Sequence, residues 1–165
     1  MKNEKIQELI SCPKVVVDKP RRTFKNKGKH KENEFVLNAG NSDEKFIVRL
    51  RKHSEFVENF SIMLEYFDPE LEKDIKLIRF NGPHQSIHRN TVINDETWSS
   101  KSHIHIATQE AIEAGQRAEN FAEITEEYQV FEEALILFWQ RVNITEDIEN
   151  YFPKIRQRSL FKVIK

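Results

Sequence analysis

The chain has 165 residues, is 38% hydrophobic and 32% charged, and carries a formal net charge of −1. That composition fits one ordered domain with its own core and excludes disordered and fibrous chains. The lone Cys12 excludes an internal disulfide and a thiolate-based zinc site, and no apolar run nears the roughly eighteen residues of a membrane-crossing helix.

The N-terminal stretch MKNEKIQELI is charged and amphipathic and lacks a signal-peptide core, so the expected location is the cytoplasm. Phe, at 12 residues, outnumbers Tyr and Trp together, which predicts an aromatic core. Charge is unevenly spread. Lys14, Lys19, Arg21, Arg22, Lys25, Lys27, Lys29 and Lys31 face one acid, Asp18, whereas Gln109 to Glu133 is rich in Glu with Arg117 as its one base. A basic stretch of this kind is either a surface for nucleic acid or an acidic partner, or a solvated Lys-rich loop.

In chain order, Asn3 to Ser11 reads as a short amphipathic helix with Ile6, Leu9 and Ile10 on one side, ended by Pro13. Lys14 to Val17 reads as a short β-branched strand, and Lys19 to Lys31 as a basic loop. Glu34–Asn38 and Glu44–Arg51 are strands joined by a turn at Ala39–Asp43. Glu55–Phe67 is a long β-rich stretch, Asp68-Pro69-Glu70 a turn, and Asp74–Asn81 a further strand. Gly82 to Lys101 is irregular and polar, long enough to suggest function or disorder.

Ser102–Ala107 returns as a strand, followed by a short helix from Gln109 to Ala114 with Thr108 as its cap and Gly115 as its stop. Thr125 caps a predicted helix of about seventeen residues, with Tyr128, Phe131, Leu135, Phe138 and Val142 as its apolar stripe. Thr145 is a candidate cap for one more short helix ending at Tyr151. The expected fold is therefore α+β. An antiparallel β-meander carries a short N-terminal helix and a C-terminal amphipathic helix on one face, over residues 1–152, with a basic tail over 153–165.

Chemistry concentrates in four of the 6 histidines, His84, His88, His103 and His105. Arg79-Phe80-Asn81-Gly82-Pro83-His84 runs from a strand into an Asn-Gly turn stiffened by Pro83. In Ser102-His103-Ile104-His105-Ile106 the two imidazoles share one face and the two isoleucines the other, which goes to the core. If the two strands are neighbours, Arg79 and His84 approach the pair. A neutral and a protonated imidazole can act as base and acid on a phosphodiester while Arg79 stabilises charge on phosphate. Alternatively, His84, His103 and His105 can hold a divalent metal with one open position. The bland alternative is the polar face of a half-exposed strand, with His30 and His53 as surface residues.

The succession Arg79-Phe80-Asn81-Gly82-Pro83-His84, a polar loop and Ser102-His103-Ile104-His105 resembles the TumE-like toxins of bacterial toxin–antitoxin modules. It also resembles related bacterial and phage domains with an NGPH turn and a HIHIA strand. The resemblance covers about Ile62 to Val142. It implies RNA cleavage or another growth-inhibiting activity, with His84, His103 and His105 as site residues and Arg79 as helper. The loop here is longer, Gln85 directly follows His84, and the N-terminal third is basic. A comparison with HIT nucleotide hydrolases fails, because Ala107 stands where a third alternating histidine is needed.

The leading expectation is thus a toxin-like ribonuclease that needs no cofactor. RNA would be bound through Arg21, Arg22, Lys25, Lys27 and Lys29, and a cognate antitoxin is a candidate partner. The alternatives are a non-enzymatic interaction protein with structural histidines, and a histidine-ligated metal-dependent hydrolase.

Overall fold

The structure, a computed structural model, describes residues 1–27, 30–53, 56, 58–83, 101–115 and 122–155. Helix α1 spans Asn3–Ser11 and buries Ile6, Leu9 and Ile10, as their spacing predicts. The strands are β1 (Val15–Val16), β2 (Arg21–Lys27), β3 (His30–Asn41), β4 (Glu44–His53), β5 (Phe60–Asp68), β6 (Lys73–Asn81) and β7 (His103–Ile106). Helix α2 (Gln109–Glu113), strand β8 (Ala122–Ile124), helix α3 (Phe131–Arg141) and a 3-10 turn (Ile148–Asn150) follow.

One antiparallel sheet of eight strands runs β1-β3-β4-β5-β6-β7-β8, with β2 also paired to β3. Consecutive strands from β2 to β8 are neighbours, which makes the sheet a meander. Its first face carries Phe35, Leu37, Phe46, Val48, Leu50, Phe60, Ile62, Leu64, Phe80 and Ile104. Against that face lie α1 and the α3 stripe Leu135, Phe138 and Val142. Tyr128, fully buried just before α3, stacks on Phe80 with ring centroids 5.3 Å apart. Phe152 packs on Phe35 and Ile155 is buried in the same core. Among the described residues no helix is long and apolar enough to cross a membrane.

Lys14 ties the helices to the sheet. It is 0% exposed, and its ammonium donates to the carbonyls of Ile10, Cys12 and Val142 at 2.9, 2.8 and 2.8 Å. Those carbonyls lie at the C-terminal ends of α1 and α3, where unpaired acceptors and the helix dipole both favour a cation. The Phe46 ring lies 4.7 Å from the same nitrogen. Burial pushes this amine below the ordinary lysine value.

Several sequence-derived expectations change. The basic stretch expected as a loop forms β2 and the start of β3, paired from Arg21↔Val36 to Lys27↔His30. As an edge strand β2 is exposed on both faces, so it shows no apolar alternation, and lysines protect such an edge against aggregation. The predicted turn at Ala39–Asp43 shrinks, since β3 continues to Asn41 and Ser42 supplies the left-handed residue at φ 53°. The β-rich stretch from Glu55 becomes a strand only at Phe60.

Thr125 does not cap the long helix. Its hydroxyl accepts from Glu127 N at 3.1 Å in a local turn, and α3 begins six residues later at Phe131. Tyr128 looks helical by spacing but reaches the core from the irregular stretch before α3. The last turn is capped by Asp147, while the Thr145 hydroxyl donates to Lys14 O at 3.1 Å. Thr108 does cap α2, its hydroxyl accepting from Ala111 N, and Gly115 ends that helix at φ +68°.

Candidate functional site: a polar sheet face ending in two histidines

The second face of the sheet is polar but largely buried. Strand register lays it out in two rows. One runs Arg21, Val36, Arg49, Met63, Arg79, His105, Ala122, from β2 to β8. The next runs Thr23, Glu34, Arg51, Ser61, Asn81, His103, Ile124. Neighbours in a row are about 4.8 Å apart along the hydrogen-bonding direction. Three arginines therefore lie in line with His105, at every second strand.

β6 and β7 are neighbours, and Arg79 stands directly opposite His105. Asn81 stands opposite His103, and the two imidazoles lie 5.2 Å apart between centroids, edge to face. The alternative of a half-exposed histidine strand does not hold, since His103 is 0% and His105 1% exposed. His103 Nδ1 lies 2.8 Å from Lys101 O, which can only accept, so Nδ1 carries a proton. In the neutral ring Nε2 then accepts from Asn81 Nδ2 at 3.2 Å. Both nitrogens of His103 are thus held by the protein, whereas solvent would hold them on an open strand.

Tyr128 fixes this corner from the core side. Its hydroxyl, whose single proton is shared, lies 2.8 Å from Asn81 O and 2.9 Å from His103 O. These are the carbonyls of the two residues whose side chains meet on the second face. Burial pushes the phenol well above the ordinary tyrosine value.

Farther along the face Glu34 is 6% exposed and gathers cations. Arg49 Nη1 and Arg51 Nε donate to its carboxylate at 3.0 Å each, and Lys25 Nζ lies 3.6 Å away. Burial alone raises this carboxyl. The hydrogen bond from Arg51 and the charges of Arg49, Arg51 and Lys25 outweigh that effect and hold it below the ordinary range. Arg49 also reaches Glu65 at 3.5 Å.

Of the basic residues assigned to RNA, Arg21 and Lys25 are exposed on the second-face side of β2. Arg22 lies on the first-face side, over the Phe35 ring at 4.9 Å, and donates to Tyr151 O at 3.2 Å, so it packs the C-terminal segment. Lys27 pairs with His30 in the β2–β3 ladder. His84, His88 and Lys29 lie outside the described residues. His53, expected at the surface, is 7% exposed, and its Nδ1 accepts from Phe56 N at 3.1 Å.

Glu34, Arg49, Arg51, Ser61 and Tyr128 were not legible as site residues. The alternation Ile47, Arg49, Arg51 against Phe46, Val48, Leu50 in β4 carries the only local signal. Among the described residues no group of three or more His, Cys, Asp or Glu side chains is arranged to hold a metal ion.

The arrangement defines an α+β protein whose meander sheet has one apolar face under helices and one arginine-lined face ending in histidines. Residues 1–144 match a family of unknown function (DUF6978), and the chain belongs to that family. No curated protein and no solved structure matches the chain.

Proposed function

We propose that the chain binds the phosphodiester backbone of RNA along the second face and cleaves it at the histidine end, as a toxin-like ribonuclease. The observation that carries this reading is the row Arg21, Arg49, Arg79, His105, in which strand register puts three arginines in line with a histidine. Guanidinium groups match phosphate oxygens in pairs, and a line of them follows a polyanion. The motif's resemblance to TumE-like toxins supports the same reading.

In this reaction one imidazole takes the ribose 2′-hydroxyl proton and the 2′-oxygen attacks the adjacent phosphorus. The bond from phosphorus to the 5′-oxygen breaks, and a second imidazole, protonated, returns a proton to that oxygen. The products are a 2′,3′-cyclic phosphate and a 5′-hydroxyl, with no redox change. Arg79 stabilises the charge that builds on phosphate. His105 and His84, which follows Asn81 by three residues in the chain, are assigned the two proton transfers. His103, with both nitrogens engaged, is a positioning residue.

The test is growth and total-RNA integrity in a bacterial host expressing the wild type or His105→Gln, with folding of both checked by circular dichroism. Arrest with RNA breakdown by the wild type alone is the expected result. Identical behaviour of two folded proteins overturns the catalytic reading.

The closure of both imidazoles from solvent favours a second reading, an interaction protein with structural histidines. Its acidic stretch Glu110–Glu133 would face a basic partner. Retained activity of a folded variant with His84, His103 and His105 all changed to Ala would favour that reading.

A further inference from the structure

A strand at the edge of a sheet offers a row of main-chain donors and acceptors to another chain unless something covers it. β2 pairs with β3 on one side, and among the described residues nothing pairs with its other side. Alternation in an antiparallel ladder decides which groups face outward. Asn38 O accepts from Val17 N at 3.0 Å, so Asn38 directs its main-chain groups to this side of β3. Val36, Glu34 and Glu32 do the same by alternation, and they meet Arg21, Thr23 and Lys25. The N–H and C=O groups of Arg22, Phe24 and Asn26 therefore turn away from the sheet, and residues 21–26 are all exposed.

The complement of an alternating row of main-chain donors and acceptors is another extended peptide. What β2 presents beside that row sets the side chains of the occupant. Arg21, Arg22, Lys25 and Lys27 stand within 7 residues that hold no acid. Arg22 donates to a neutral carbonyl, and Lys25 shares Glu34 with Arg49 and Arg51, so neither charge is cancelled. Phe24, on the first-face side, is 56% exposed. Two β2 edges paired about Phe24 would oppose Arg21 to Lys27 twice, and like charges directly opposed are destabilising, which disfavours a second copy. We propose that the free edge of β2 takes up an extended acidic segment of another protein as a further strand, with acids opposite Arg21 and Lys25 and an apolar side chain beside Phe24. Strands β3 to β6 separate β2 from the histidine strand β7, so this partner site does not depend on the catalytic reading.

The experiment uses the full chain and a peptide that alternates Glu and Val, begins and ends with Glu, and matches β2 in length, read by fluorescence anisotropy. Paired antiparallel to β2, its Val residues fall opposite Arg22, Phe24 and Asn26. N-methylation of the Val amides removes the donors that face β2 and is expected to weaken binding at least about tenfold, as for two net hydrogen bonds. Methylation of the inner Glu amides, which face away, should change it by less than about twofold. Replacing every Glu by Lys should weaken binding by about fivefold or more at low salt. Phe24→Pro removes one outward donor and leaves the β2–β3 ladder intact, so the folded variant should bind about fivefold less tightly.

No binding of the Glu–Val peptide by the wild type, or equal loss on methylating either set of amides, overturns the strand site. Equal affinity for the Glu and Lys peptides overturns the acidic occupant. Displacement of the peptide by oligouridylate, together with indifference to Val methylation, overturns the proposal in favour of a plain electrostatic surface for RNA. A dimer of the free chain that Phe24→Pro abolishes, seen by sedimentation, overturns it in favour of self-pairing.

Discussion

Gly82 and Gly115 are both glycines in loop-like sequence, and the structure demands glycine at each for opposite reasons. A Cβ built at Gly82 would meet the Glu58 carbonyl oxygen and lie 2.6 and 2.8 Å from Cε1 and Cδ1 of Phe60. Carbon atoms in contact prefer about 3.5–4.0 Å, so the end of β6 and the start of β5 must separate by roughly 1 Å. Phe60 cannot simply swing aside, because its ring packs on Tyr128 at 6.0 Å and on Phe131 at 5.5 Å. The hydrogen bond from Gly82 N to Phe60 O, 3.0 Å, is strained by the same movement. Overpacking of about 1–3 kcal/mol and a weakened hydrogen bond of about 1 kcal/mol together predict that Gly82→Ala destabilises by about 2–4 kcal/mol. Gly115 sits at φ +68° with nothing within 4 Å of a Cβ, so Gly115→Ala should cost only the left-handed strain, about 1–2 kcal/mol. Urea unfolding of both variants checks this. A Gly82→Ala variant as stable as the wild type, or more stable than Gly115→Ala, would refute the close approach and with it the packing of the β6 end.

Three further outcomes follow from the same structure. Glu34→Gln should destabilise by about 1–2 kcal/mol at neutral pH. The folded carboxyl is held below its ordinary value, so its contribution is present above the ordinary glutamate pKa and is lost as pH falls through the folded one. Unfolding curves of wild type and variant should therefore converge in acid, and a constant gap counts against the cation cluster. Lys14→Met removes three donors from buried carbonyls and should cost about 3 kcal/mol in the same assay; a loss under about 1 kcal/mol would mean that the helix ends do not depend on the ammonium. Tyr128→Phe should cost about 1–2 kcal/mol. The raised folded pKa makes the wild type lose this advantage as pH rises above the ordinary tyrosine value, so the gap must narrow in alkali.

What the sequence determined by itself is the local part of the fold. The spacing of Ile6, Leu9 and Ile10 determined α1, and hairpin-spaced β-rich segments determined an antiparallel meander. Alternation along His103–Ile106 put both imidazoles on one side. These depend on period and turn chemistry, which neighbours in the chain carry. Edge strand β2 was hidden because residues 21–26 are all exposed, so no alternation of apolar and polar residues marks it. The burial of His103 and His105, and the alignment of Arg21, Arg49 and Arg79 with them, depend on register across six strands. Register sums many small cross-strand contacts and a bulge at Leu64/Glu65, so only the assembled sheet decides it.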